Sequence, residues 1–136
     1  MRLIRAAEER DLPAILAIES QTPWRKSEYL RRRLAAGNVL IAQDAAGVTG
    51  FIVCNREFFS LPFVWLVAVS KEHRGKGIAS ALYAHVEQTH KGMRLYSSTN
   101  ESHAAMRRFF ERRGYTYAGC VDLDPGDPEV FYRIDL

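Results

Sequence analysis

The stretch Val67-Ala68-Val69-Ser70-Lys71-Glu72-His73-Arg74-Gly75-Lys76-Gly77-Ile78-Ala79 limits what this chain can fold into more than any other. An apolar run suited to a buried strand breaks into a basic, glycine-rich turn, and a helical stripe begins at Ile78. Gly75 and Gly77 permit close backbone approach, so several main-chain N–H groups converge where the helix starts. Converging donors of this kind bind anionic oxygen. Arg74 and Lys76 add positive charge beside the turn, and the small Ala79 and Ser80 leave the first helical turn open to a bulky ligand. A phosphate-bearing ligand, in particular a pyrophosphate, is the expected guest.

The chain has 136 residues, 47% of them hydrophobic, enough for one sizeable core and too few for two comfortable domains, so a single domain over 1–136 is expected. No apolar run approaches a membrane span, and the opening Met1-Arg2-Leu3-Ile4-Arg5 runs into Glu8, Glu9 and Asp11 rather than a signal-peptide core. These features point to an unexported protein with a cytoplasmic location and no membrane partner. Cys54 and Cys120 lack metal-type or redox-type spacing and read as buried, reduced thiols. His73, His85 and His90 lack ligand spacing too, so no metal centre is expected.

The net charge is +3, yet basic residues gather at 31–33, 74–76, 107–108 and 112–113. Acidic residues are spread among them and no nucleic-acid motif accompanies them, so solvated helix faces are the better reading and a nucleic-acid partner is not expected.

Pattern and punctuation then order the chain. A short strand at 3–5 precedes a helix over 12–19 with Asp11 as its N-cap and Pro13 in its first turn. A second helix spans 27–36 and stops at Gly37-Asn38. Strands at 39–43 and 49–55 flank the turn-like 44–47; Leu61-Pro62 separates the next strand, 63–69. A helix from Gly77 to about His90, a strand over 93–98, a helix over 102–113 and two strands at 115–123 and 130–136 complete the order. A mixed α/β fold follows, with helices on both faces of a sheet.

The spacing Arg74-x-x-Gly77-x-Ala79 after an apolar strand, with a downstream helix ending at Gly114-Tyr115, resembles the acyl-CoA-binding motif of the GNAT N-acetyltransferase superfamily. The resemblance covers essentially the whole chain. It implies a mostly antiparallel sheet of six to seven strands, whose strands on either side of the motif helix splay apart into a cofactor cleft. It also implies acetyl-CoA as cofactor and direct attack of a primary amine on the thioester in a ternary complex. Val67, Ala68 and Val69 would hold the pantetheine arm as an added strand would. Arg74, Gly75, Lys76, Gly77, Ile78, Ala79 and Ser80 would hold the pyrophosphate, and Phe110 would pack on the pantetheine arm.

The family's catalytic positions are less well matched. The carboxylate that members carry before the glycine-rich turn, or on the strand after the motif helix, aligns with Trp65 or Ser98, and neither accepts a proton well. The usual Asn of the fourth helix aligns with His103, and the Tyr that protonates departing thiolate aligns with Phe110. An acceptor amine with a pKa of about 10.4 is neutral in only about one molecule in 2,500 at neutral pH, so deprotonation needs a route. Glu57, near the end of the third strand, and His103 are the candidate acid–base residues. Their bland alternatives are a surface carboxylate and a helix-capping imidazole.

Asp122, Asp124, Asp127 and Glu129 form an acidic turn that would draw a cationic amine or would simply be solvated. The implied acceptor is a small-molecule amine or a peptide or protein amine, and the resemblance admits a two-fold dimer through the C-terminal strands. The rival reading, motivated by the missing carboxylate, Asn and Tyr, is a non-catalytic acyl-CoA-binding module.

Overall fold

Alternating apolar residues and turn-forming breaks produce β1 (Leu3–Ala6), β2 (Val39–Asp44), β3 (Gly47–Phe58), β4 (Leu61–Val69), β5 (Arg94–Asn100), β6 (Thr116–Val121) and β7 (Glu129–Asp135). Between them run α1 (Leu12–Glu19), α2 (Ser27–Ala35), α3 (Ile78–Thr89) and α4 (Ala104–Arg112). This computed structural model describes residues 2–136; Met1, the first residue of the opening segment read above, lies outside them. The strands neighbour one another in the order β1-β2-β3-β4-β5-β7-β6. β4 and β5 pair in parallel, whereas β1–β2, β2–β3, β5–β7 and β6–β7 are antiparallel. The chain divides into two compact units, residues 2–54 with Leu66–Thr89, and Asn55–Trp65 with His90–Leu136.

In the first unit, Ile15 and Ile18 of α1 and Leu30 of α2 bury themselves against Val39, Ile41, Phe51, Val53 and Ala68. The alternate residues Ala42 and Ile52 are fully buried on the opposite side of the strands. There α3 lies along β1 and β2, burying Ile78, Leu82, Tyr83 and Val86. Helices therefore cover both faces.

Asp11 departs from its expected role. A single 3-10 turn, Glu9–Asp11, precedes α1, and the Asp11 carboxylate makes no cap bond to that helix. It accepts two N–H groups of the Arg5 guanidinium at 2.9 and 3.0 Å and the Glu8 amide at 2.7 Å. A bidentate, charge-assisted pair at a buried position is stronger than a neutral amide cap, and it ties β1 to the entry of α1.

The β3–β4 turn lies elsewhere than expected. Both strands run on to Phe58 and from Leu61, and the turn is Phe59-Ser60, with φ of 52° and 64°. Positive φ at both central positions is the signature of a type I′ hairpin turn, and here residues other than glycine adopt it. Packing of Phe58 on Phe63, ring centres 4.7 Å apart, accounts for the longer hairpin.

In the second unit, the β4–β5 ladder takes in two pairs, Phe63 with Tyr96 and Val64 with Ser97, and Ser97 Oγ–H donates to the Val64 carbonyl at 3.1 Å. α4 covers one face through Phe110, fully buried and stacked on Tyr132 at 4.9 Å. Arg107, on the same helix, donates to the Tyr132 hydroxyl at 3.0 Å, which gives one of the basic pairs a structural role. Neither Cys54 nor Cys120 forms a disulfide, and neither is fully buried: Cys54 is half-buried, and Cys120 is exposed because it lies on the edge strand β6, most of whose residues face solvent. No helix among the described residues is long and apolar enough to cross a membrane.

Asp11→Asn should lower the free energy of unfolding by roughly 1.5–3 kcal/mol, read by urea denaturation at neutral pH. The Arg5 hydrogen bonds hold the Asp11 carboxyl below its ordinary value. Its contribution is therefore complete above the ordinary carboxylate range and fades as pH falls through the lowered folded-state value. The variant should lose that part of the acid dependence; an unchanged acid limb would contradict this account.

Candidate active site

The turn between β4 and α3 is built within the first unit by three constraints. Ser70, buried and extended, donates its amide to the Thr49 carbonyl at 2.9 Å, and its hydroxyl shares a 2.6 Å hydrogen bond with His73 Nδ1. One 3-10 turn, Lys71–His73, follows, with the Lys71 amide held by Gln21 Oε1 at 2.9 Å. Arg74 then returns to extended backbone, and its Nε–H donates to the Val69 carbonyl at 3.2 Å. The chain thus folds back on the end of β4 before α3 begins.

Gly75 and Gly77 both have φ of 77°, the left-handed region that favours glycine. A Cβ at Gly75 would meet nothing within 4 Å, so the requirement there is conformational rather than steric. The first α3 bond runs from Ala81 N–H to the Gly77 carbonyl at 3.0 Å. The amides of Ile78, Ala79 and Ser80 precede that bond, so they belong to the donors a helix leaves without intrahelical partners at its start. Arg74, Gly75, Lys76 and Gly77 are exposed, Ile78 is buried, and Ala79 and Ser80 are half-buried. The result is a set of helix-leading main-chain donors beside two exposed cations, with the buried Ile78 anchoring the helix.

Two residues that sequence reasoning missed complete the turn. Arg2 donates to the Lys76 carbonyl at 2.7 Å and to the Gly77 carbonyl at 3.2 Å, so a guanidinium from the start of the chain holds the loop's acceptors. Gly50 on β3 lies so close that a Cβ there would come 2.9 Å from the Ala68 carbonyl oxygen and 3.1 Å from Ile78 Cγ2. Its absent side chain lets β3, β4 and the first turn of α3 meet. No local pattern marks Arg2, and Gly50 stands in an ordinary apolar strand; only tertiary contact reveals either.

In the second unit, Glu57 is exposed on β3, its amide donating to Asn55 Oδ1 at 3.1 Å. His103 caps α4, its Nδ1 accepting the Met106 amide at 3.3 Å. That bond leaves the imidazole proton on Nε2. Trp65, 37% exposed, donates its indole N–H to Asn55 Oδ1 at 2.7 Å, and Ser98 Oγ–H donates to Glu129 Oε2 at 2.7 Å. Asp127 accepts the amide and hydroxyl of Ser102, fixing the acidic turn. Phe110 has no exposed surface: Tyr132 and Tyr115 take up its ring, so as folded here it is a core residue with no face to offer a pantetheine arm.

A model of the acetyltransferase (GNAT) family matches residues 2–115, including the whole strand-turn-helix unit. The chain belongs to that family. It is therefore an acyltransferase, and acetyl transfer from acetyl-CoA is general to this family. A curated relative, the 5-NmdU N-acetyltransferase of Pseudomonas phage PaMx11, is 27% identical over 127 residues, covering 88% of this chain and 90% of the relative. A GNAT-family acetyltransferase from Bacillus cereus superposes with a TM-score of 0.88 at 28% identity, covering 99% of this chain and 97% of its own. A Salmonella typhimurium structure solved with its cofactor acetyl-CoA has the same fold, with a TM-score of 0.73 at 19% identity over 98% of this chain and 93% of its own.

Gly50→Ala should cost about 1–3 kcal/mol of stability, because the clash is with backbone oxygen and cannot relax by a rotamer change. Gly75→Ala should cost roughly 1–2 kcal/mol from its positive φ alone. Urea titration checks both; a neutral Gly50→Ala would contradict the close approach.

Proposed function

We propose that this protein is a single-domain N-acetyltransferase that moves the acetyl group of acetyl-CoA to a primary amine, by direct attack in a ternary complex. The observation that carries the reading is the set of helix-leading amides ahead of the Ala81–Gly77 bond, with the exposed Arg74 and Lys76 beside them. Such a row suits a diphosphate, and the open space at Gly75 suits its close approach. Acetyl-CoA would supply the activated thioester. Val67, Ala68 and Val69 would offer backbone groups to the pantetheine arm, Arg74 to Ser80 would bind the pyrophosphate, and Arg2 would keep the loop carbonyls turned away from it.

Of the two acid–base candidates, the reading favours Glu57. His103, with its proton on Nε2 and Nδ1 committed to the Met106 amide, accepts another proton only by leaving the cap. Glu57→Gln should lower kcat by about 10²-fold with CoA affinity unchanged. His103→Asn, which keeps a capping side chain, should leave kcat within about threefold. The reverse ranking would move the proton-accepting role to His103.

The direct test is incubation with acetyl-CoA and a panel of amines, 5-NmdU among them because the phage relative is named for it, while free thiol is followed. Thiol release with some amine is expected; silence across the panel from protein that binds CoA would contradict the reading. Arg74→Ala should weaken CoA about tenfold by calorimetry and leave acetyl-pantetheine, which lacks the diphosphate, unaffected. Equal losses would remove Arg74 from the pyrophosphate site.

A further inference from the structure

Within the second unit, the two faces of the sheet are unlike. The registers Phe63 with Tyr96, Ser98 with Phe131 and Asn100 with Glu129 put these residues on one face, and α4 covers the other. On the face opposite α4, Phe58 is the hub of an aromatic group. Its ring centre is 4.7 Å from Phe63, 5.2 Å from Tyr96, 6.4 Å from Trp65 and 5.9 Å from Phe131, nearly parallel to the last at 17°. Phe63 and Trp65 approach to 4.3 Å.

This group differs from an ordinary satellite core. Trp65 is 37% exposed, and its indole is fixed by the 2.7 Å bond to Asn55 Oδ1. Phe58, Tyr96 and Phe131 are half-buried. Immobilised aromatic faces left open cost little entropy when they receive a planar guest. The same face carries a carboxylate: Ser98 Oγ–H holds Glu129 Oε2, which takes one of the carboxylate's several acceptor positions and sets its direction. The cations that the β5–β7 register puts on this face, Arg133 opposite Tyr96 and Arg94 opposite Asp135, lie at the other end of the group and share Asp135, at 3.6 and 2.6 Å. One end is therefore aromatic with an anion beside it, and the positive charge at the far end is partly neutralised.

We propose that this face receives the acceptor as a primary ammonium borne on a planar aromatic or heteroaromatic ring, with the ring stacked among Trp65, Phe58 and Phe131 and the ammonium drawn by Glu129. The proposal rests on the N-acetyltransferase reading and names its acceptor class. Aromatic faces attract a cation as well as a flat ring, so both parts of such a molecule are complemented. An aliphatic amine would keep the carboxylate contact and lose the stacking.

Benzylamine and cyclohexylmethylamine test this, since both present a CH₂–NH₃⁺ group on a six-carbon ring and differ in planarity. Affinities are measured by ligand-observed NMR, with and without saturating CoA. Benzylamine should bind roughly three- to tenfold more tightly to the wild-type protein. Trp65→Leu should abolish the preference, Trp65→Phe should keep most of it, and Glu129→Gln should weaken both amines while preserving their ratio. Equal affinities in the wild type, binding of neither amine, or a preference that survives Trp65→Leu would overturn the inference. CoA calorimetry on each variant reports cofactor binding separately. Protein that binds CoA without a planar preference refutes this inference alone, whereas protein that binds no CoA refutes the reading beneath it.

Discussion

The close approach of β3 to the end of β4 governs the rest. Because Gly50 has no side chain, the Ala68 carbonyl and Ile78 can come within ordinary contact of the β3 backbone. The Ser70 amide then reaches the Thr49 carbonyl, which fixes where β4 ends. From there the chain has only the Lys71–His73 turn and two left-handed glycines in which to reverse into a helix. Local chemistry alone would allow many loop shapes. The burial of Ile78 at the first turn of α3 restricts that choice by anchoring the start of the helix.

Electrostatics supports the same geometry without creating it. Lys71, Arg74 and Lys76 are exposed around the turn, where water and salt weaken any single charge. Together they raise the local potential toward an anion, and in the proposed pyrophosphate site the directional hydrogen bonds would come from the amides. Arg2 acts differently, because its guanidinium is committed to two loop carbonyls. The proposed anion site is favoured when the loop's own acceptors are occupied elsewhere, and Arg2 occupies those of Lys76 and Gly77.

Much of this was legible before the structure. The strand-turn-helix unit, the helix at 12–19, the helix expected at 27–36 and found at Ser27–Ala35, and the closing strands all follow from period and punctuation, because each depends on neighbours in sequence. The misses share one cause, which is competition from distant partners. Asp11 has the chemistry of a cap, but Arg5 claims it. Leu61-Pro62 has turn-like composition, but ring packing between Phe58 and Phe63 carries the hairpin one step further, to Phe59-Ser60. Phe110 occupies a position read for the cofactor and is enclosed by Tyr132 and Tyr115, whose positions could not be foreseen from α4 alone. Glu129 has the sequence context of an acidic turn; its link to Ser98 appears only once β5 and β7 are in register.

The proposed reaction assigns the amide row to the cofactor and the aromatic face to the acceptor. An N-acetyltransferase must hold a large anionic cofactor and a cationic acceptor, and the two surfaces carry opposite chemistry suited to each. The claim on which the account depends is that main-chain amides at the start of α3 grip a diphosphate. Residue-resolved amide hydrogen exchange, compared with and without coenzyme A, measures those groups directly. The account predicts that exchange at Gly77, Ile78, Ala79 and Ser80 slows by at least about tenfold when coenzyme A is bound and is unchanged by pantetheine. Binding of coenzyme A that leaves exchange at these four amides unaltered would contradict it.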